Sequence, residues 1–115
     1  MKINEKLIGT IDSYQLGVNG YIRFSNGLQI AWVEAYKSVS LQSWGNIFYV
    51  DITDMPNWVV PFTKVYQQHA TCNNKQFWFA NDDATTTSPG LIRVLRATAG
   101  NFNIYIKAIA IGAWK

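Results

Sequence analysis

Four of the chain's seven carboxylates fall in two close pairs, Asp51 with Asp54 and Asp82 with Asp83. Paired acids are what glycoside hydrolysis requires, held about 5 to 9.5 Å apart across a cleft. Asp51 and Asp54 flank a turn at Asp54-Met55-Pro56-Asn57, and Asp82-Asp83 are adjacent in a polar loop. Turn capping and solvation account for both pairs. A polysaccharide depolymerase, the enzymatic alternative, needs Asp51 or Asp54 to face Asp82 or Asp83 across a groove. His69 is the only histidine and Cys72 the only cysteine. At i and i+3 on a strand their side chains leave opposite faces, which removes a thiol–imidazole pair. No serine sits in a G-x-S-x-G turn. The oxygens of Asn81, Asp82 and Asp83 match no calcium-loop spacing. The reading is a non-catalytic chain with no metal site and no cofactor.

Ring chemistry is better supplied: five Trp, six Tyr and six Phe in 115 residues. Flat rings near turns stack on the apolar faces of sugars, while neighbouring amides and carboxylates take hydrogen bonds from hydroxyls. Trp44 lies in Ser43-Trp44-Gly45-Asn46, Trp58 follows Met55-Pro56-Asn57, and Trp78 precedes Asn81-Asp82-Asp83. The candidate glycan-binding residues are therefore Trp44, Trp58, Trp78, Asn81, Asp82 and Asp83, with two recognition loops at 38–46 and 81–90. The alternative is a small β-barrel stacking the bases of single-stranded nucleic acid, with Arg23, Arg93, Arg96 and Lys107 as phosphate partners. Against it, Arg93 and Arg96 point to opposite faces of one strand, and the net charge is only +3 with no basic run.

These residues must be positioned by strands. Asn26-Gly27 between two apolar runs predicts a hairpin with a type I′ turn. Leu28, Ile30 and Trp32 alternate with Gln29, Ala31 and Val33, so the bulkier set predicts the core face. Further strands are expected at 46–53, 64–72, 76–80, 91–97 and 102–111. In the last of these Phe102, Ile104 and Ile106 belong to the core, while the opposite face turns apolar at Ile109 and Ile111. Pro61 makes 58–62 an edge or a bend. About seven short strands and no helical periodicity predict an all-β antiparallel sandwich. Hydrophobic residues at 49% and charged residues at 15% exclude disorder and leave more rings than one small core hides. The first fifteen residues lack the apolar core of a secretory signal, and the apolar stretch at 108–114 is too short to span a bilayer. No membrane insertion is expected.

Two segments carry a family resemblance. GYIRFSNGLQIAW at 20–32 resembles the G-Y-I-K-F-x-N-G-L-I-I-Q-W opening of C-terminal domains of bacteriophage and prophage tail fibres. FNIYIKAIAIGAWK at 102–115 resembles that family's final strand ending in A-I-G-x-W, and Pro61-Phe62-Thr63 resembles its F-P-x-x-F region more loosely. Val33-Glu34 replaces the family's glycine after the first Trp. The resemblance implies a receptor-binding tip in the virion tail: a homotrimer of β-sandwiches at 20–115, joined through 1–19 to a fibre shaft and other tail proteins. It also implies adhesion to a bacterial surface polysaccharide or glycan, but transfers no binding residues.

Overall fold

The computed structural model describes residues 10–115. These form eight strands and no helix: β1 (Ile11–Gln15), β2 (Gly20–Phe24), β3 (Leu28–Trp44), β4 (Ile47–Ile52), β5 (Lys64–Cys72), β6 (Phe77–Asn81), β7 (Ile92–Arg96) and β8 (Gly100–Ala113). Every pairing is antiparallel. β3 pairs with β2 near its start, with β8 along most of its length and with β4 at its end; β4 leads to β7 and β6, and β8 also carries β5. The strands curl into an all-β antiparallel half-barrel, or sandwich, around one core in a body of 52 × 22 × 22 Å. None of the described residues forms a helix long and apolar enough to cross a membrane.

The β3–β8 register runs unbroken from Leu28–Ala113 to Leu41–Gly100. At about 3.4 Å per residue this ladder is roughly 45 Å long, close to the full length of the body. Directly opposed residues share a face, so Val33 opposite Ala108 and Ala31 opposite Ala110 point inward together. Ala31, Val33, Ile106 and Ala108 are all at most 2% exposed. This corrects the expected core face of β3. Ile104 and Ile106 are buried and Phe102 packs against the core, but Leu28, Ile30 and Trp32 lie on the outer face, half-buried. Bulk was the wrong criterion. The enclosed side is the one whose small residues allow neighbouring segments to approach, and β8 fixes which side that is. Trp32 instead packs beneath the β1–β2 link, donating Nε1–H to Gly17 O at 2.9 Å. A Cβ on Gly20 would meet the Trp32 ring at 2.7 Å.

The turn before β3 also differs from expectation. Among the described residues no residue other than glycine has a positive φ, and Gly27 sits at +102°. Type I′ needs positive φ at both central residues, so the link is instead the three-residue segment 25–27. Gly27 N–H donates to Phe24 O at 3.0 Å, and Asn26 Oδ1 accepts from Leu28 N–H at 3.1 Å. The expected recognition loop at 38–46 is mostly strand as well, since β3 continues to Trp44 before a turn at Gly45. β1, which pairs with β2, lies inside the segment read as a connector; residues 1–9 of that segment are outside the described residues.

Segment 53–63 closes the core. Met55, Trp58 and Phe62 are buried, with Trp58 and Phe62 edge-to-face at 5.7 Å. Fully buried Gln29 ties this segment down: its Oε1 accepts from Arg23 Nε at 2.7 Å, and its Nε2 donates to Val60 O at 3.3 Å. Arg23 also donates to Pro61 O at 2.9 Å. Both ends of the buried amide are satisfied, which is what makes it tolerable in a core. Trp58→Ala is expected to lower unfolding free energy by about 3–5 kcal/mol, the usual loss for a buried Trp. Chemical denaturation measures this, and a loss below about 1 kcal/mol would remove Trp58 from the core.

Candidate functional site

The outward face of the β4–β7–β6 sheet gathers rings and charges that are scattered in sequence. Register puts Gln42, Tyr49, Leu95 and Trp78 in one row across β3, β4, β7 and β6, and Asp51, Arg93 and Ala80 in the next. Leu95 is only 7% exposed although it points outward, because it lies between two aromatic cross-strand neighbours. Trp44 is 50% exposed and Trp78 45%. Tyr49 and Trp78 stand two strands apart, about 10 Å.

Arg93 organises the centre. Its Nε and Nη2 donate to the two carboxylate oxygens of Asp51 at 2.7 and 2.9 Å, a bidentate pair. Its guanidinium lies 4.6 Å from the Trp44 ring and 4.3 Å from the Tyr49 ring, and the rings are 5.6 Å apart. The guanidinium thus touches both rings and restrains Trp44. Beside them is a shallow depression of about 250 Å³, lined by Trp44, Ala80, Asn81, Asp82, Leu91 and Arg93. It offers a ring wall, a carboxylate, an amide and guanidinium N–H groups, the set that orients a polyhydroxylated ligand.

The structure thus brings together Trp44, Asn81 and Asp82, with Trp78 on the same face. It separates the other two candidates. Trp58 is 4% exposed and belongs to the core, a correction of its expected place at the surface. Its N–H and Nε1–H donate to Thr87 O and Thr85 O, so the ring anchors the loop after β6 from beneath. A turn resembles a recognition loop in sequence whether its Trp points in or out. Asp83 faces a different depression, with Tyr66, Gln67 and Gln68. Tyr49 was absent from the sequence reading, and Arg93 and Asp51 were assigned to other chemistry. Their union appears only once the β4–β7 register is known.

Asp51 and Asp54 are each held by a cation. The Arg93 hydrogen bonds, helped by its charge, hold the Asp51 carboxyl below the ordinary carboxylate range. The Lys37 ammonium, 2.9 Å from Asp54, does the same there. A general acid in glycoside cleavage needs the opposite shift. His69 points outward beside Ile109 and Cys72 inward beside Ile106, so they form no pair. Among the described residues no group of three or more His, Cys, Asp or Glu could hold a metal ion.

The direction of the Asp51 shift sets a pH dependence. Its folded pKa lies below its unfolded value, so the unfolded chain binds the proton more readily. The stabilisation is present above roughly pH 4 and is lost as pH falls through the lowered folded value. Asp51→Asn should therefore be less stable than wild type near neutrality, with the gap in denaturation midpoint narrowing on acidification. A gap that stays constant or widens would contradict this assignment.

No protein-family profile matches the chain, and no curated protein matches it in sequence. Solved structures do. A fibre of P. aeruginosa R1 pyocin, represented by its C-terminal part, superposes with TM-score 0.63 at 17% identity, covering 87% of this chain and 27% of that one. An N-truncated R1-type pyocin tail fibre gives TM-score 0.64 at 16% identity, covering 96% and 94%. An N-truncated R2-type pyocin tail fibre gives 0.53 at 15% identity, covering 84% and 36%. This chain spans about a quarter of the first fibre's length and nearly all of the second's. At these identities the likeness is one of fold: residues 10–115 adopt a fold found in pyocin tail fibres.

Proposed function

We propose that the chain is a non-catalytic receptor-binding module of a phage- or pyocin-type tail fibre, adhering to a glycan on the bacterial surface. The carrying observation is Trp44, held half-exposed by Arg93 and Tyr49 over a depression that also contains Asn81 and Asp82. Trp78 extends the same aromatic face. The shared fold supports the setting; the site chemistry supports the ligand. Nucleic acid is disfavoured because three of the four basic side chains named for it are engaged: Arg93 by Asp51, Arg23 by Gln29 and Pro61, and Arg96 between Phe102 and Gln76. On this reading the protein acts in a virion-like tail with other tail proteins as partners.

A shallow site of this kind binds a single sugar weakly, on the order of millimolar or about −4 kcal/mol. Trp44→Ala and Trp78→Ala should each weaken binding by about 1–2 kcal/mol, roughly 5- to 30-fold, while leaving the protein folded with a stability loss of about 1 kcal/mol from the lost ring contacts. A glycan array followed by titration calorimetry measures the first, and denaturation the second. Normal adhesion by both variants would move the receptor site elsewhere. Release of reducing ends from envelope polysaccharide, lost in Asp82→Asn, would make the module a depolymerase instead.

The same proposal takes the module as a homotrimer. Its support is the outer face of β3, β8 and β5, where Ile109 and Ile111 are 48% and 38% exposed beside Ile30 and Trp32. Such a row is costly to leave in water, and three-fold packing would cover it. The double variant Ile109→Glu, Ile111→Glu should fall from three chains to one by light scattering at micromolar concentration. A monomeric wild type would overturn the assembly without touching the glycan reading.

A further inference from the structure

The outward face of β3 does not end at Trp44. Strand periodicity puts Tyr36, Ser38, Ser40, Gln42 and Trp44 in one row, and all five are exposed. Their partners on β8 continue the surface: Tyr105 opposite Tyr36, Asn103 opposite Ser38 and Asn101 opposite Ser40. Tyr36 and Tyr105 are 56% and 43% exposed, with ring centroids 4.7 Å apart, a second aromatic platform at the far end of the row. Eight residues at about 3.4 Å each separate it from Trp44, roughly 27 Å.

Two depressions lie along this path, of about 300 and 440 Å³, and both include Asn103. The first is lined by Ser38, Ser40 and Asn101 among others, and the second by Asn73, Asn74 and Lys75. Between the two platforms every outward side chain on β3 and β8 is an amide or a hydroxyl, and none carries charge. The nearest charges on the face are opposed in sign: Glu34 faces Lys107 below the tyrosines, and Asp51 binds Arg93 above. Lys75 stands at the rim of the second depression, and the Arg96 guanidinium, 4.2 Å from the Phe102 ring that lines the first, is taken up by Gln76. The surface can therefore exchange hydrogen bonds in both directions along its length, but offers an anionic chain almost no countercharge.

We infer that this face is a track for an uncharged polysaccharide several sugars long, running from Trp44 along β3 to the Tyr36–Tyr105 pair. The inference rests on the glycan reading above and deepens it: the receptor is recognised as a chain segment, not only as a terminal sugar. Rings at the two ends provide stacking, and the amide and hydroxyl rows between them take the hydroxyls of the intervening units.

The test is a length series. Neutral glycan from the envelope of a strain to which the protein adheres is fractionated into oligosaccharides of one to eight units and titrated calorimetrically, beside oligouronates of matched length. Affinity should rise at least tenfold from the shortest to the longest neutral fraction, and the oligouronates should bind more weakly at every length. Tyr36→Ala and Asn103→Ala should remove that increment while leaving the shortest fraction's affinity unchanged; circular dichroism confirms that these exposed positions keep the fold. Affinity independent of length, with Trp44→Ala still damaging, would overturn the track and leave the single-sugar site standing. Tighter, salt-sensitive binding of oligouronates would overturn the uncharged class. No binding to any glycan would remove the underlying reading as well.

Discussion

The β3–β8 ladder is the constraint on which the rest of the molecule depends. Because its register is continuous from Leu28–Ala113 to Leu41–Gly100, one alignment decides the inward or outward direction of every side chain on both strands. A slip of one residue would turn one strand's whole set over relative to its partner's. Val33 would then lie opposite Lys107 or Ile109, so either an outward side chain of β8 would be drawn into the core or the valine would be turned out of it. Gly112 lets β5 close onto the other side of β8, since a Cβ there would collide with Lys64 O and meet Val65 Cα at 2.9 Å.

The small residues that the ladder turns inward have a consequence for the loops. Ala31, Ala35, Ala108 and Ala110 leave space that segment 53–63 fills with Trp58 and Phe62. Those residues in turn bond the backbone of the loop after β6: Trp58 donates its indole Nε1–H to Thr85 O and its backbone N–H to Thr87 O, and the Phe62 backbone N–H donates to Thr86 O. Thr85 folds that loop on itself through bonds with Ser88. Asp82 N–H donates to Leu91 O at 3.2 Å, which holds the loop's two ends together beside Trp44. The geometry at Asn81 and Asp82 is therefore supported from within the core, by a tryptophan that sequence position alone would put at the surface.

How much of this was legible in the residues follows from the range of the forces involved. Strand existence is local, and β4, β5, β6, β7 and β8 lie within a few residues of where alternation and turn residues put them. The polar loop at 81–90 was legible for the same reason. Which face of β3 is buried is not local: LQIAWV is apolar on both sides, and only the partner strand decides. The same holds for Trp44, Trp58 and Trp78, each next to turn signals, of which two face water and one does not. Arg93 and Asp51 are 42 residues apart in sequence and become a pair only through the β4–β7 register. The sequence-based reading recovered the chemistry of the site in fragments and lacked the pairing that assembles them.

Two-residue periodicity also explains how one narrow sheet presents distinct surfaces without separate domains. The inward positions of β3 and β8 are apolar along the ladder except for Gln29, whose amide is bonded at both ends, and Lys37, which reaches Asp54, so variation falls mainly to the outward set. That set changes character with height: isoleucines and Trp32 at one end, then Glu34 opposite Lys107, the tyrosine pair, the serines and asparagines, and finally Trp44 with Arg93. Each outward side chain can change without altering the core behind it, because its backbone hydrogen bonds belong to the ladder and not to the side chain. A long ladder of fixed register thus separates the requirement to fold from the requirement to recognise. The first is met by the inner face, leaving the outer face free to be apolar where chains would meet and hydrogen-bonding where a glycan would lie.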